Sequence, residues 1–115
     1  MPRRPSNRIS FLGKPVVSGL VLSEIDYQLI VSAIGPCHGG DIERFLAAAP
    51  SVPGGRAIDI YHPLMDDVLG AVGIEVRGYM RLDEERDGQE RMKPKKGSTA
   101  ERLLAIYKII ESHLP

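Results

Sequence analysis

Glycine and proline residues divide the apolar part of this sequence into short segments. The chain has 12 glycines and 9 prolines, and several of them directly follow an apolar run. These breaks are Gly13-Lys14-Pro15, Gly35-Pro36, Pro50 and Gly73. Proline lacks the amide hydrogen that helices and sheets use, and a glycine inside a helix costs about 1 kcal/mol relative to alanine. The sequence therefore predicts short helices and short strands.

The first half of the chain predicts a hairpin followed by two helices. Two apolar runs, at 9–12 and 16–22, flank the first break and predict a hairpin or two strand pieces. Ser23 has the hydroxyl of a helix N-cap, and the helix that follows should end at Gly35-Pro36. Its expected buried residues are Ile25, Leu29, Ile30, Ala33 and Ile34. A second helix is predicted from its cap, Asp41, to Pro50.

The second half predicts two strands and two helices. Residues 57–61 alternate as a strand does, and Pro63 suits the first position of a helix that ends at Gly73. Residues 74–82 alternate between apolar and polar side chains and form the clearest strand signal. Residues 83–97 are almost wholly charged or polar and predict a mobile loop. Ser98 and Glu101 predict a capping box for a final helix.

Together these elements predict an α+β fold, with about four helices packed on a small sheet of three to four short strands. We expect a single globular domain at residues 9–115, preceded by a basic extended arm at residues 1–8, because 115 residues suit one domain. The lone Cys37 excludes an internal disulfide and suits the cytoplasm. No apolar run approaches the roughly 18 residues of a membrane span, so we expect no membrane partner.

The formal net charge is zero, but the charges are segregated along the chain. Residues 1–22 and 91–115 each carry +4, whereas residues 23–90 hold thirteen acids against five arginines. Such basic ends either attract a phosphate-bearing partner or bind an acidic protein surface, including that of another copy. We expect the arm to dock on another subunit or another protein. The expected partner-binding residues are Arg3, Arg4, Arg8, Arg91, Lys93, Lys95 and Lys96.

Three residues, Cys37, His38 and His62, are candidates for catalysis, and with an acid such as Asp66 they are candidates for metal binding. Cys37 and His38 precede a helix start, where free backbone amides stabilise an anion, and His62 with Asp66 would complete a metal site if all four converged. An ordinary glycine-rich turn is the competing interpretation, because a nucleophile and its base usually come from separate elements. The sequence has no phosphate-binding loop, dinucleotide fingerprint or nucleophile elbow, so we expect no cofactor.

Nucleic-acid binding through the basic ends is a further alternative. The sequence has no tryptophan and only two phenylalanines, which leaves few side chains for base stacking. Its zero net charge also provides no overall basic character.

The order of elements from Ser23 onward resembles small papain-like cysteine peptidase domains of the bacteriophage and bacterial double-glycine peptidase kind. Asp26-Tyr27 stands where that family has its nucleophile, Gly73-Ile74-Glu75-Val76 matches a strand, and Ser98-Thr99 matches a later helix start. Tyr27 is not a nucleophile, and the sequence stops where a strand bearing the family's histidine would begin. The resemblance implies a truncated, catalytically inactive relative.

The sequence thus predicts a non-enzymatic protein-binding or assembly protein of bacterial or phage type, either regulatory or virion-associated. Its partner would be another protein or its own copies. The first alternative is a small cysteine- or metal-dependent enzyme centred on Cys37, His38 and His62. The second is a nucleic-acid-binding protein.

Overall fold

A computed structural model describes residues 9–11, 14–16 and 19–115, the first two ranges by their backbone alone. Strands β1 (Ile9–Phe11) and β2 (Lys14–Val16) form an antiparallel hairpin in which Ile9 pairs with Val16. The predicted hairpin is therefore confirmed. The basic arm at residues 1–8, with Arg3, Arg4 and Arg8, lies outside the described residues.

Three short strands form an antiparallel sheet in the order β3 (Leu20–Leu22), β5 (Gly55–Ile58), β4 (Ser51–Val52). The predicted strand at 57–61 thus starts at Gly55 and ends at Ile58. Gly55 has a φ of 145°, and a Cβ there would lie 1.8 Å from the carbonyl oxygen of Leu22. Only glycine therefore lets the central strand pair with β3 at this point.

Four α-helices are present in residues 19–115: α1 (Glu24–Ile34), α2 (Gly40–Ala47), α3 (Met65–Asp87) and α4 (Thr99–His113). A short 3₁₀ helix, Gly35–His38, joins the first two. The Ser23 and Ser98 hydroxyls cap α1 and α4 as predicted, each accepting a 3.1 Å hydrogen bond from the backbone amide three residues later. By contrast, α2 begins after Gly39 and not with Asp41 as its cap.

The clearest strand prediction, at 74–82, is wrong. These residues belong to α3, which runs for 23 residues through Gly73 and ends at Gly88, in the left-handed conformation that favours glycine. A strand would have buried Ile74 and Leu82, yet their exposed fractions are 59% and 58%. The predicted loop therefore begins at residue 88 instead of 83. Its mobility stays a prediction.

The core lies between α3 and α4 and continues onto α1 and the sheet. Side chains with less than 2% exposure come mainly from these helices: Ile30, Ile34, Met65, Val68, Val72, Leu103, Ile106 and Ile110. Two of the residues predicted to be buried on α1 differ, since Ile25 is 81% exposed and Leu29 is only partly buried. Ile25 lies one residue from Asp26, which turns inward, is buried, and pairs with Arg102 of α4.

The predicted α+β class is confirmed, because the helices of residues 19–115 pack with an antiparallel sheet in one globule. Among the described residues, none of the helices combines the length and the apolar character that a bilayer crossing requires.

We expect Leu103→Ala to lower the free energy of unfolding by about 2–5 kcal/mol, because its side chain is fully buried between the helices. Leu104→Ala is the matched control, since this neighbour is only partly buried. Urea unfolding followed by circular dichroism measures both. Equal losses for the two variants would contradict the assignment of the core face of α4.

Candidate functional site

The structure places the three candidate catalytic residues apart. Cys37 is exposed in the 3₁₀ helix. His38 Nε2 lies 2.8 Å from Glu75 Oε2 of α3, which ties the 3₁₀ helix to α3. His62 stacks on Phe45 with a ring-centroid distance of 4.3 Å. Its Nδ1 accepts a 3.1 Å hydrogen bond from the Leu64 amide.

These positions do not form one site. His38 lines a cleft between α2 and α3, whereas His62 lines a separate pocket beside Phe45, and Cys37 lines neither. In the described part of the chain, no group of three or more histidine, cysteine, aspartate or glutamate side chains is arranged to hold a metal ion. The geometry therefore provides no convergence of Cys37, His38 and His62, with or without Asp66.

Tyr27, at the nucleophile position of the resemblance, has a packing role. It is buried, and its hydroxyl donates a 2.6 Å hydrogen bond to the carbonyl oxygen of Leu46 in α2. The guanidinium of Arg56 lies 4.7 Å from its ring centroid and also bonds Glu24 at 3.0 Å. The hydrogen bond from Arg56, followed by that from Gln28, lowers the pKa of Glu24. The strand that the resemblance places at 73–76 is helical.

The basic segment after α3 is partly engaged by its own chain. Arg91 and Lys95 both bond the Asp87 carboxylate, at 2.9 and 3.1 Å, and the Arg91 amide donates to Glu84 at 3.0 Å. The hydrogen bonds from Lys95 and then Arg91 lower the pKa of Asp87. Lys93 and Lys96 are exposed and form no ion pair within residues 19–115. Two of the four predicted partner-binding residues in this segment, Arg91 and Lys95, therefore contact the acidic C-terminal end of α3 in their own chain.

The structure also contains an exposed face on α3 that is not among the predicted sites. Because α3 continues through residues 74–82, five of its residues share one side of the helix, at intervals of three, four, four and three positions. We call this set the outer face of α3. All five are exposed: Asp67, Gly70, Ile74, Gly78 and Arg81.

The two glycines of the outer face have no explanation within the fold. A Cβ added at Gly70 or Gly78 would meet no atom within 4 Å, and neither residue has a positive φ. Each nevertheless costs the helix about 1 kcal/mol relative to alanine. Gly73 differs, because a Cβ there would lie 3.4 Å from the Tyr107 ring of α4. Gly73 thus lies at the contact between α3 and α4, whereas the other two glycines lie away from it.

The outer face is a ridge between two clefts. One cleft, of about 730 Å³, separates α3 from α2, and the other, of about 510 Å³, separates α3 from α4 and the loop at Met92. Gly70 and Ile74 line both clefts. The ridge therefore presents an isoleucine flanked by two positions without side chains, with a depression on either side.

This face is not among the features predicted from the sequence, although part of its signal is present there. Gly70 and Gly78 lie four residues before and after Ile74. A strand that begins at residue 74 leaves Gly70 in a different element, so the shared face of Gly70, Ile74 and Gly78 is evident only when one helix contains all three.

Comparison with known proteins adds no family or structural neighbour. No family model matches the chain, and neither a curated protein nor a solved structure gives a significant match.

We expect Asp87 to titrate at lower pH in the folded protein than in the unfolded chain, because Lys95 and Arg91 hold its pKa below the usual range. Its contribution to stability is then present above the ordinary aspartate pKa and is lost as the pH falls through the lowered value. Carboxyl NMR gives the titration.

Asp87→Asn should speed amide exchange at residues 88–98, whereas the exposed control Glu85→Gln should not. Unchanged exchange in Asp87→Asn would contradict the role of these ion pairs.

Proposed function

We propose that this chain is a non-enzymatic assembly protein that binds its own copies through the outer face of α3. The observation that carries the proposal is Ile74, 59% exposed between two glycines that the fold itself does not require. Fully burying a wholly exposed isoleucine yields about 1.5–3 kcal/mol, and 59% of the Ile74 surface remains to be buried by a partner. The flanking glycines let another backbone approach the helix closely, as small residues do where helices pack tightly.

A lone exposed apolar side chain would not support this proposal, since such residues are normal on soluble proteins. Ile25, Leu82 and Met92 are also exposed. Ile74 differs in its setting: it lies on a rigid helix, with a glycine one turn away on each side and a cleft on both flanks. That shape fits another helix better than it fits a small molecule, because it is convex along α3.

The competing interpretations have less support. An enzyme centred on Cys37, His38 and His62 requires a convergence that the geometry does not provide. A nucleic-acid interface in the segment after α3 would have Lys93 and Lys96 as its unpaired charges within residues 19–115, because Arg91 and Lys95 already bond Asp87. Binding through the outer face of α3 requires neither a change in internal contacts nor the breaking of an internal ion pair.

We expect Ile74→Asp to shift the protein to monomer at concentrations where the parent self-associates, because the charge would be buried at the contact. Light scattering coupled to size exclusion, over a wide range of concentration, measures the shift. Ile25→Asp is the matched control, since this isoleucine is 81% exposed on α1. The urea midpoint of the monomer should stay near that of the parent in both variants. Equal association of Ile74→Asp and the parent would exclude this face.

A further inference from the structure

We infer that two copies of the chain pair their α3 helices antiparallel about a two-fold axis at Ile74, with Asp67 of each copy against Arg81 of the partner subunit. This inference rests on the proposed function and adds the direction, register and charge pairing of the contact. The inference is based on the symmetric arrangement of the outer-face residues about Ile74.

The residues of the outer face are arranged symmetrically about Ile74. Gly70 and Gly78 lie four positions before and after it, and Asp67 and Arg81 lie seven positions before and after it. A two-fold axis perpendicular to two antiparallel helices brings residues at equal and opposite offsets together. Ile74 then meets its own equivalent, each Gly70 meets a Gly78, and each Asp67 meets an Arg81. The sequence of this face is therefore complementary to itself.

The charges on the outer face favour an antiparallel pair of helices over a parallel pair. In the antiparallel arrangement both end pairs join a carboxylate to a guanidinium, whereas a parallel arrangement in register would place Asp67 beside Asp67 and Arg81 beside Arg81. Asp67 and Arg81 are exposed, and neither forms an ion pair within residues 19–115. Both are therefore available to a partner without breaking an internal contact.

The glycines set how closely the helices approach. Interaxial distances of packed helices are about 8–10 Å and depend on the side chains at the contact. With no Cβ at Gly70 and Gly78, the two backbones can come near the short end of this range, and the two Ile74 side chains can pack into the flanking clefts. A single helix pair covers less area than the roughly 1,200–2,000 Å² of a stable complex. We therefore expect a weak dimer whose population depends on protein concentration.

A charge-exchange experiment tests the pairing. Asp67→Arg alone and Arg81→Asp alone each create two like-charge contacts per dimer and should weaken self-association about tenfold. Mixing the two variants should restore it, because the mixed dimer has opposite charges at both ends. The double variant Asp67→Arg/Arg81→Asp should also associate like the parent. Analytical ultracentrifugation at low salt measures all four samples.

Cysteine pairing tests the register independently of the charges. In a Cys37→Ser background, Asp67→Cys or Arg81→Cys alone should not form a disulfide dimer, because identical positions on the two helices lie roughly 21 Å apart along the axis. The mixture of the two should form the 67–81 disulfide under mild oxidation. A disulfide dimer from Asp67→Cys alone would show a parallel contact and overturn the inference.

Replacement of the two glycines tests the close approach of the helices. Gly70→Ala and Gly78→Ala should raise the denaturation midpoint of the monomer, because alanine favours the helix and its methyl group meets no atom. The same changes should weaken self-association by separating the helices. A rise in stability with unchanged association would contradict close helix approach.

The outcomes separate the two proposals. If the parent is monomeric at every concentration, or if Ile74→Asp leaves association unchanged, the proposed function fails and the inference fails with it. If Ile74→Asp abolishes association but charge exchange and cysteine mixing have no effect, the antiparallel pairing fails while assembly through this face stands.

Discussion

The packing of α3 against α4 is the contact on which the rest of the structure depends. Val68 and Val72 of α3 and Leu103 and Ile106 of α4 have no exposed surface, and α1 and the sheet pack around this pair. Burial of this apolar stripe keeps α3 a single helix despite three internal glycines, each unfavourable by about 1 kcal/mol. Tertiary packing thus decides the secondary structure of residues 74–82. Because one side of α3 is fixed in the core, the opposite side is held in a defined position.

Local side-chain chemistry accounts for what could be predicted from the sequence. Ser23 and Ser98 cap their helices by hydrogen bonds over three residues, so short-range information was sufficient to place those starts. Residues 74–82 lacked such a signal. Their apolar residues fit a period of two better than one helical stripe, because on α3 Val76 and Met80 pack against the core while Ile74 and Leu82 are exposed, and the glycines disfavour a helix. Only the partner helix α4, about thirty residues later in the sequence, distinguishes the two patterns, and its packing was not visible in the local sequence.

The candidate site was harder to predict than the fold, for a related physical reason. Cys37, His38 and His62 are candidates because of their reactive side chains, but function also depends on which side chains the fold brings together. The fold instead uses His38 to bind Glu75 and His62 to stack on Phe45. The outer face of α3 contains no cysteine or histidine, so residue chemistry gives no reason to select it. Its signal consists of spacing and of glycines that the fold leaves unexplained, and both require the correct secondary structure.

The rigidity of α3 also bears on how the proposed assembly can work with a small contact area. Association of flexible segments loses conformational entropy when they become ordered, and this loss reduces the affinity that a given area can provide. Here α4 and the core already hold the helix, so Ile74 and its flanking glycines would need no ordering before contact. The unfavourable effect of Gly70 and Gly78 falls on the monomer, where burial between the helices offsets it. Under the proposed assembly, the two glycines are of benefit only when a second helix approaches. Under the proposed assembly, a modest loss of monomer stability is linked to the ability to associate, which would account for two exposed glycines on α3 that the fold does not require.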